Sequence, residues 1–161
     1  MVSSPPRRTL LAASVVLLLA GGPALEAVSI SVLGSWSQTV GELDLVGGAG
    51  SDLTGSYESA LDQGMISIAG TLGSWRVDVK KSDTTWHNDL RLDVQRTSGG
   101  TGTGSISGGA TYLEVTSVDT TFFSGDADRS DVDVQLKISG VSVSLEIGSF
   151  STTVTYTVTD L

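Results

Sequence analysis

The chain has 161 residues, no cysteine and a formal net charge of −9. That length allows one domain. The missing cysteines exclude disulfides, so stability must come from core burial and strand pairing. The acidic balance excludes nucleic acid and anionic membrane surfaces as partners, because phosphate repels such a surface.

The N-terminal stretch differs from the rest. Arg7 and Arg8 precede an apolar run from Leu10 to Ala20, which Gly21, Gly22 and Pro23 break before small residues at Ala24 and Ala27. That three-part order is a secretory signal peptide. The run of about 11 residues falls short of the ~20 that a spanning helix needs. Residues 1–27 are therefore read as a signal peptide, cleaved after Ala24 or Ala27, and residues 28–161 as one domain. An uncleaved signal segment is the one route to a membrane. Losing Arg7, Arg8 and Glu26 takes nine basic and 18 acidic residues to seven and 17, so the mature surface is more acidic still. The expected location is secreted or cell-surface.

Val28, Ile30 and Val32 open the mature part with period-two alternation, the signature of a strand with one buried face. Leu43 with Leu45 suggests a short second strand, and Gly47 to Ser56 a loop. Ile66 with Ile68 follows, then Trp75, Val77 and Val79, whose phase places the Trp75 ring in the core. Thr85 to Asp89 reads as a loop carrying His87, the only histidine. A lone histidine makes no metal site without carboxylates from elsewhere, and no nucleophile-elbow sequence accompanies it. Leu90, Leu92 and Val94 predict another strand.

Thr97 to Gly109 is glycine-rich and predicted to be a flexible loop. It opens no helix and has no Lys-Ser/Thr end, so it is no phosphate loop. Leu113 with Val115 gives a short strand. An extended Phe122-Phe123 pair would bury one ring and leave the other for a partner or a second layer. Val132, Val134, Leu136 and Ile138 alternate with Asp131, Asp133, Gln135 and Lys137. Ser139-Gly140 then predicts a hairpin turn into a strand formed by Val141, Val143, Leu145 and Ile147. Val154, Tyr156 and Val158 alternate with threonines over Thr152 to Thr159. About nine short strands between Gly, Ser, Asp and Thr linkers, with no capped helical stretch, predict an all-β, antiparallel β-sandwich, Ig-like or jelly-roll-like.

Two groups are candidate sites. Asp126, Asp128 and Asp131 place carboxylates close together in an acidic segment, hard oxygen donors that suit calcium; no other cofactor is expected. Trp36 and Trp86 lie outside the regular strands and are the candidate sugar-stacking residues.

Gly148, Phe150, Val154, Tyr156 and Val158 give the C-terminus a glycine, an aromatic and then a Thr/Val/Tyr alternation. In this it resembles the closing strand of secreted fimbrial-type and spore-coat-U-like β-sandwich proteins. The chain departs from them in lacking cysteine and in ending Asp160-Leu161. The resemblance implies an Ig-like sandwich that assembles outside the cell, one subunit lending a strand to the sheet edge of the next. Residues 28–33, with Val28, Ile30 and Val32 on the apolar face, are the candidate donor strand. The expectation is a noncatalytic structural subunit of a surface fibre, coat or pilus-like assembly, with copies of itself or other surface proteins as partners. The alternative is a secreted module binding carbohydrate or another surface ligand, with calcium as an aid.

Overall fold

A computed structural model describes residues 27–161; the predicted signal segment falls almost wholly outside the described residues. Among the described residues the chain is all-β apart from one 3₁₀ turn, Glu42–Asp44. The ten strands are β1 (Ser29–Gly34), β2 (Ser56–Glu58), β3 (Gly64–Ala69), β4 (Ser74–Asp83), β5 (Arg91–Arg96), β6 (Ile106–Gly108), β7 (Leu113–Glu114), β8 (Thr120–Asp126), β9 (Arg129–Ser139) and β10 (Thr152–Asp160). Among the described residues no helix is long and apolar enough to cross a membrane.

The strands form two antiparallel sheets. The larger runs β1-β3-β9-β5-β7, with β2 beside the far end of β9, and the smaller runs β10-β4-β8-β6. From β3 onward each successive strand lies in the opposite sheet, and no strand pairs with the one that follows it. The pairs β3–β9, β4–β8 and β5–β7 nest inside one another, as in a long hairpin rolled up around β6.

Period-two alternation builds the core. On β4, Trp75, Val77 and Val79 point inward with no exposed surface, while Arg76, Asp78 and Lys80 point out. They meet Ile66 and Ile68 from β3, Leu92 and Val94 from β5, and Val132 and Val134 from β9. Trp75 fills the centre, its ring edge-on to Phe123 with centroids 5.8 Å apart. Its indole N–H donates to the Ala127 carbonyl at 2.8 Å, which satisfies the one polar atom that burial would orphan. Gly125 stands opposite Trp75 on β8; a Cβ there would lie 2.6 Å from the Trp75 ring, so the ring requires glycine.

Several expectations are corrected. Leu43 and Leu45 form no strand: Glu42–Asp44 is a 3₁₀ turn whose Asp44 carboxylate accepts from the Gly41 N–H at 2.8 Å, and Leu43 is 96% exposed. No hairpin forms at Ser139-Gly140. Gly140 takes φ +83°, and a Cβ there would collide with the Asp89 carbonyl, so the chain leaves the sheet instead of turning back along β9. Residues 141–147 are therefore a loop with Val143 and Ile147 exposed, and Asp52 holds the Val143 N–H at 2.9 Å. Both Phe122 and Phe123 are buried, because β8 carries an extra residue at this point: Val77 pairs with Phe123 but Asp78 with Thr121. That bulge turns consecutive side chains to one face, and the two rings pack 5.1 Å apart.

Since both rings are in the core, Phe122→Ala and Phe123→Ala should each destabilise the fold by about 3–5 kcal/mol. Urea unfolding that finds Phe122→Ala nearly neutral would mean that the ring faces outward.

Candidate functional site

The two sides of the molecule end differently. On one side the outer strands are β6 and β7, only three and two residues long. Such short edges offer little to an incoming strand. On the other side lie β1 and β10, close together across the two sheets. β1 holds β3 in unbroken register from Ser29↔Ala69 to Gly34↔Gly64, so Val28, Ile30 and Val32 pack within their own domain. β10 holds β4 from Thr152↔Asp83 to Asp160↔Trp75 with no bulge. No charged residue occurs between Val28 and Gly41, or between Ile147 and Thr159.

Trp86 is half-buried beside the core. Its indole N–H donates to the Leu90 carbonyl at 2.7 Å, and the Lys81 ammonium sits 5.5 Å from its ring centre while bonding the Asp83 carboxylate at 2.6 Å. A cleft of about 260 Å³ opens here, lined by Lys81, Asp83, Trp86, Asn88, Leu90 and Glu114 among others. Trp36 does not line it; that half-buried ring lies on the segment after β1. His87 packs edge-on to Phe150 with Asp89 3.7 Å away. A second cleft of about 280 Å³ is lined by Ser74, Ser105, Ser107, Ser124 and Asp126, with Trp75 and Gly125 at its floor. The only histidine of the chain is not among its lining residues, so no imidazole base serves these hydroxyls.

Asp126, Asp128 and Asp131 do not converge. The Asp126 carboxylate accepts from the Ser105 N–H and, at 3.3 Å, from its hydroxyl. Asp128 accepts from the Thr71 N–H at 3.0 Å and the Thr71 hydroxyl at 2.9 Å, bonds that hold its carboxyl below the usual carboxylate range. Asp131 sits at φ +56°, with its own N–H donating to the Ser67 hydroxyl at 3.1 Å. Among the described residues no group of three or more His, Cys, Asp or Glu side chains is gathered where one metal ion could sit. The glycine-rich loop beside them is pinned: Arg96 donates to the Gly108 and Ser98 carbonyls at 3.0 and 2.8 Å, and Arg129 to the Gly104 carbonyl.

One polar cluster escaped the sequence reading. Register places Glu58, Lys137, Asp93 and Glu114 in one row across the outer face of the larger sheet. Arg91 bonds Asp93 at 2.9 Å, Asp93 is buried, and Lys137 lies 3.4 Å from Glu58 and 5.1 Å from the Tyr112 ring centre. Burial, with Glu58 alongside, pushes the Tyr112 hydroxyl up to about 12. Alternation marks Lys137 as outward; the residues that meet it come from β2, β5 and the segment just before β7. The cluster reads as a set of structural ion pairs, since Arg91 bonds Asp93 and lies 3.6 Å from Glu114, and Lys137 lies beside Glu58.

Comparison with protein-family models, with curated proteins and with solved structures gives no match to this chain.

The Asp128 bonds predict an acid-sensitive loop. A carboxyl held below its unfolded pKa of ~4 stabilises the fold above that pH, and the contribution is lost as pH falls through the folded value. Thermal melts from pH 7 to 2 should give a shallower acid decline for Asp128→Asn than for the unaltered chain.

Proposed function

We propose that the chain is an exported, noncatalytic structural subunit of a cell-surface fibre, coat or pilus-like assembly, built by exchange of residues 28–33 between copies. The observation that carries this reading is the placement of β1. It is an outermost strand, joined to its sheet by β3 alone, apolar on its inner face and without charge. A copy of the same strand from a neighbour would make the same contacts with β3 and the core, so exchange costs little beyond opening the segment that follows. The signal-like N-terminus supports export. We also read the architecture as jelly-roll-like rather than Ig-like. The nested β3–β9, β4–β8 and β5–β7 pairs support that reading, because a jelly roll is a rolled-up hairpin.

A second reading, a secreted carbohydrate-binding module, draws on the Trp86 cleft, where an indole adjoins Lys81, Asp83, Asn88 and Glu114. Lys81 stacked on the ring weighs against it, since a sugar would have to displace that ammonium.

The chain's lack of cysteine makes a covalent test clean. Leu33 and Met65 stand directly opposite one another on β1 and β3. In oxidised Leu33→Cys/Met65→Cys protein, exchange predicts chains linked to one another on non-reducing gels. Purely intramolecular bonds in every assembled fraction would sink the exchange reading.

A further inference from the structure

The backbone of β10 is open along its whole outer edge. Two hydrogen bonds at its ends fix which residues face which way: Leu161 N–H donates to Ser74 at 2.9 Å, and Thr84 N–H donates to Ser151 at 3.3 Å. In an antiparallel ladder alternate residues bond to the partner, and the β10–β4 register has no irregularity between these points. Thr153, Thr155, Thr157 and Thr159 therefore bond inward to β4. The N–H and C=O groups of Thr152, Val154, Tyr156, Val158 and Asp160 point away from it. Among the described residues no other backbone segment bonds to these five.

Natural sheets blunt such an edge with bulges, prolines or charges. β10 has none of these before Asp160. An acidic chain repels its own copies over most of its surface, and the stretch from Ile147 to Thr159 carries no charge to add to that repulsion. We propose that β10 pairs antiparallel with β10 of a second copy, about a two-fold axis through Tyr156, joining the two smaller sheets into one eight-stranded sheet. This register sets Thr152 against the second copy's Asp160 and Val154 against its Val158. All five open residues on each side then exchange their N–H···O=C bonds. The two Asp160 carboxylates end about 27 Å apart, eight residues at about 3.4 Å each. On the outer face Thr155 meets the second copy's Thr157, and Thr153 its Thr159, pairings that suit β-branched hydroxyl side chains.

The inference rests on the reading of this chain as a self-assembling subunit and supplies a second contact. One isologous contact stops at a dimer, whereas two different ones can propagate. The register makes the test specific. Thr155 and Thr157 are neighbours of Lys80 and Asp78 on β4, so Thr155→Glu/Thr157→Lys suits both its own chain and the proposed partner. Thr155→Glu/Thr157→Glu and Thr155→Lys/Thr157→Lys each set like charges opposite one another twice across the axis.

Sedimentation velocity, with circular dichroism to monitor the fold, should find both like-charge variants at least about tenfold weaker in self-association than the unaltered chain. The Glu/Lys variant should associate normally, and an equal mixture of the two like-charge variants should regain the complex. Like-charge variants that fold and associate as the unaltered chain does would overturn the pairing, as would a mixture that stays apart or an unaltered chain that is monomeric at every concentration. Intermolecular crosslinks in Leu33→Cys/Met65→Cys protein, together with unaffected association of the like-charge variants, would leave strand exchange standing and remove β10 pairing alone.

Discussion

The buried Trp75 ring is the constraint around which the two sheets are arranged. It lies on the central β4, and its partners are dictated by its size and its single polar atom. The indole N–H needs an acceptor, and the Ala127 carbonyl in the turn from β8 to β9 supplies one. The ring needs clearance on β8, which Gly125 provides. The ring edge needs a second aromatic, and the bulge in β8 delivers Phe123 while bringing Phe122 to the same side. One side chain thus fixes a glycine, a bulge and the turn that carries the chain from the smaller sheet to the larger.

With no cysteine to cross-link its loops, the chain uses carboxylates and guanidiniums against backbone groups. Asp44 caps its own 3₁₀ turn, Asp52 takes N–H groups from Leu53 and Val143, Asp126 takes Ser105, and Asp128 takes Thr71. Arg96 and Arg129 act from the other side, donating to carbonyls of the glycine-rich loop. Part of the acidic excess that composition assigned to a solvated surface is therefore structural. A charged acceptor makes a stronger bond to an N–H than a neutral one does, and it reaches loops that no strand covers.

Alternation made β1, β4, β5, β9 and β10 readable, down to which residues point inward, because period two is local and burial enforces it. It failed where the decision was not local. Val141 to Ile147 alternates as well as β10 does, but the chain leaves β9 at Gly140, and the segment bonds to Gly55 and Asp52 through single N–H groups instead of a strand ladder. Phe122-Phe123 failed because a bulge is a relation between two strands, visible only once Val77 and Asp78 are seen opposite them. The candidate sites divide in the same way. Trp86, expected as a free ring outside the strands, sits half-buried beside the core, and Asp126, Asp128 and Asp131, near one another in sequence, bond Ser105, Thr71 and Ser67 separately. The Glu58–Lys137–Asp93–Glu114 row was invisible, because its members come from four strands.

The absence of any pairing between successive strands has a kinetic side. A fold rich in hairpins can begin from a short stretch of chain, since closing a small loop costs little entropy. Here the central strands β4 and β9 find partners only far along the sequence, β4 with β8 and β10, β9 with β3 and β5. Neither sheet has a local nucleus, so the order of contacts is dominated by long loop closures, which fold slowly. The smaller sheet in particular lacks its last ladder until residues 152–160 have been made. Completion of the smaller sheet therefore waits on the C-terminal strand, whose pairing with β4 closes one of the longest loops in the chain.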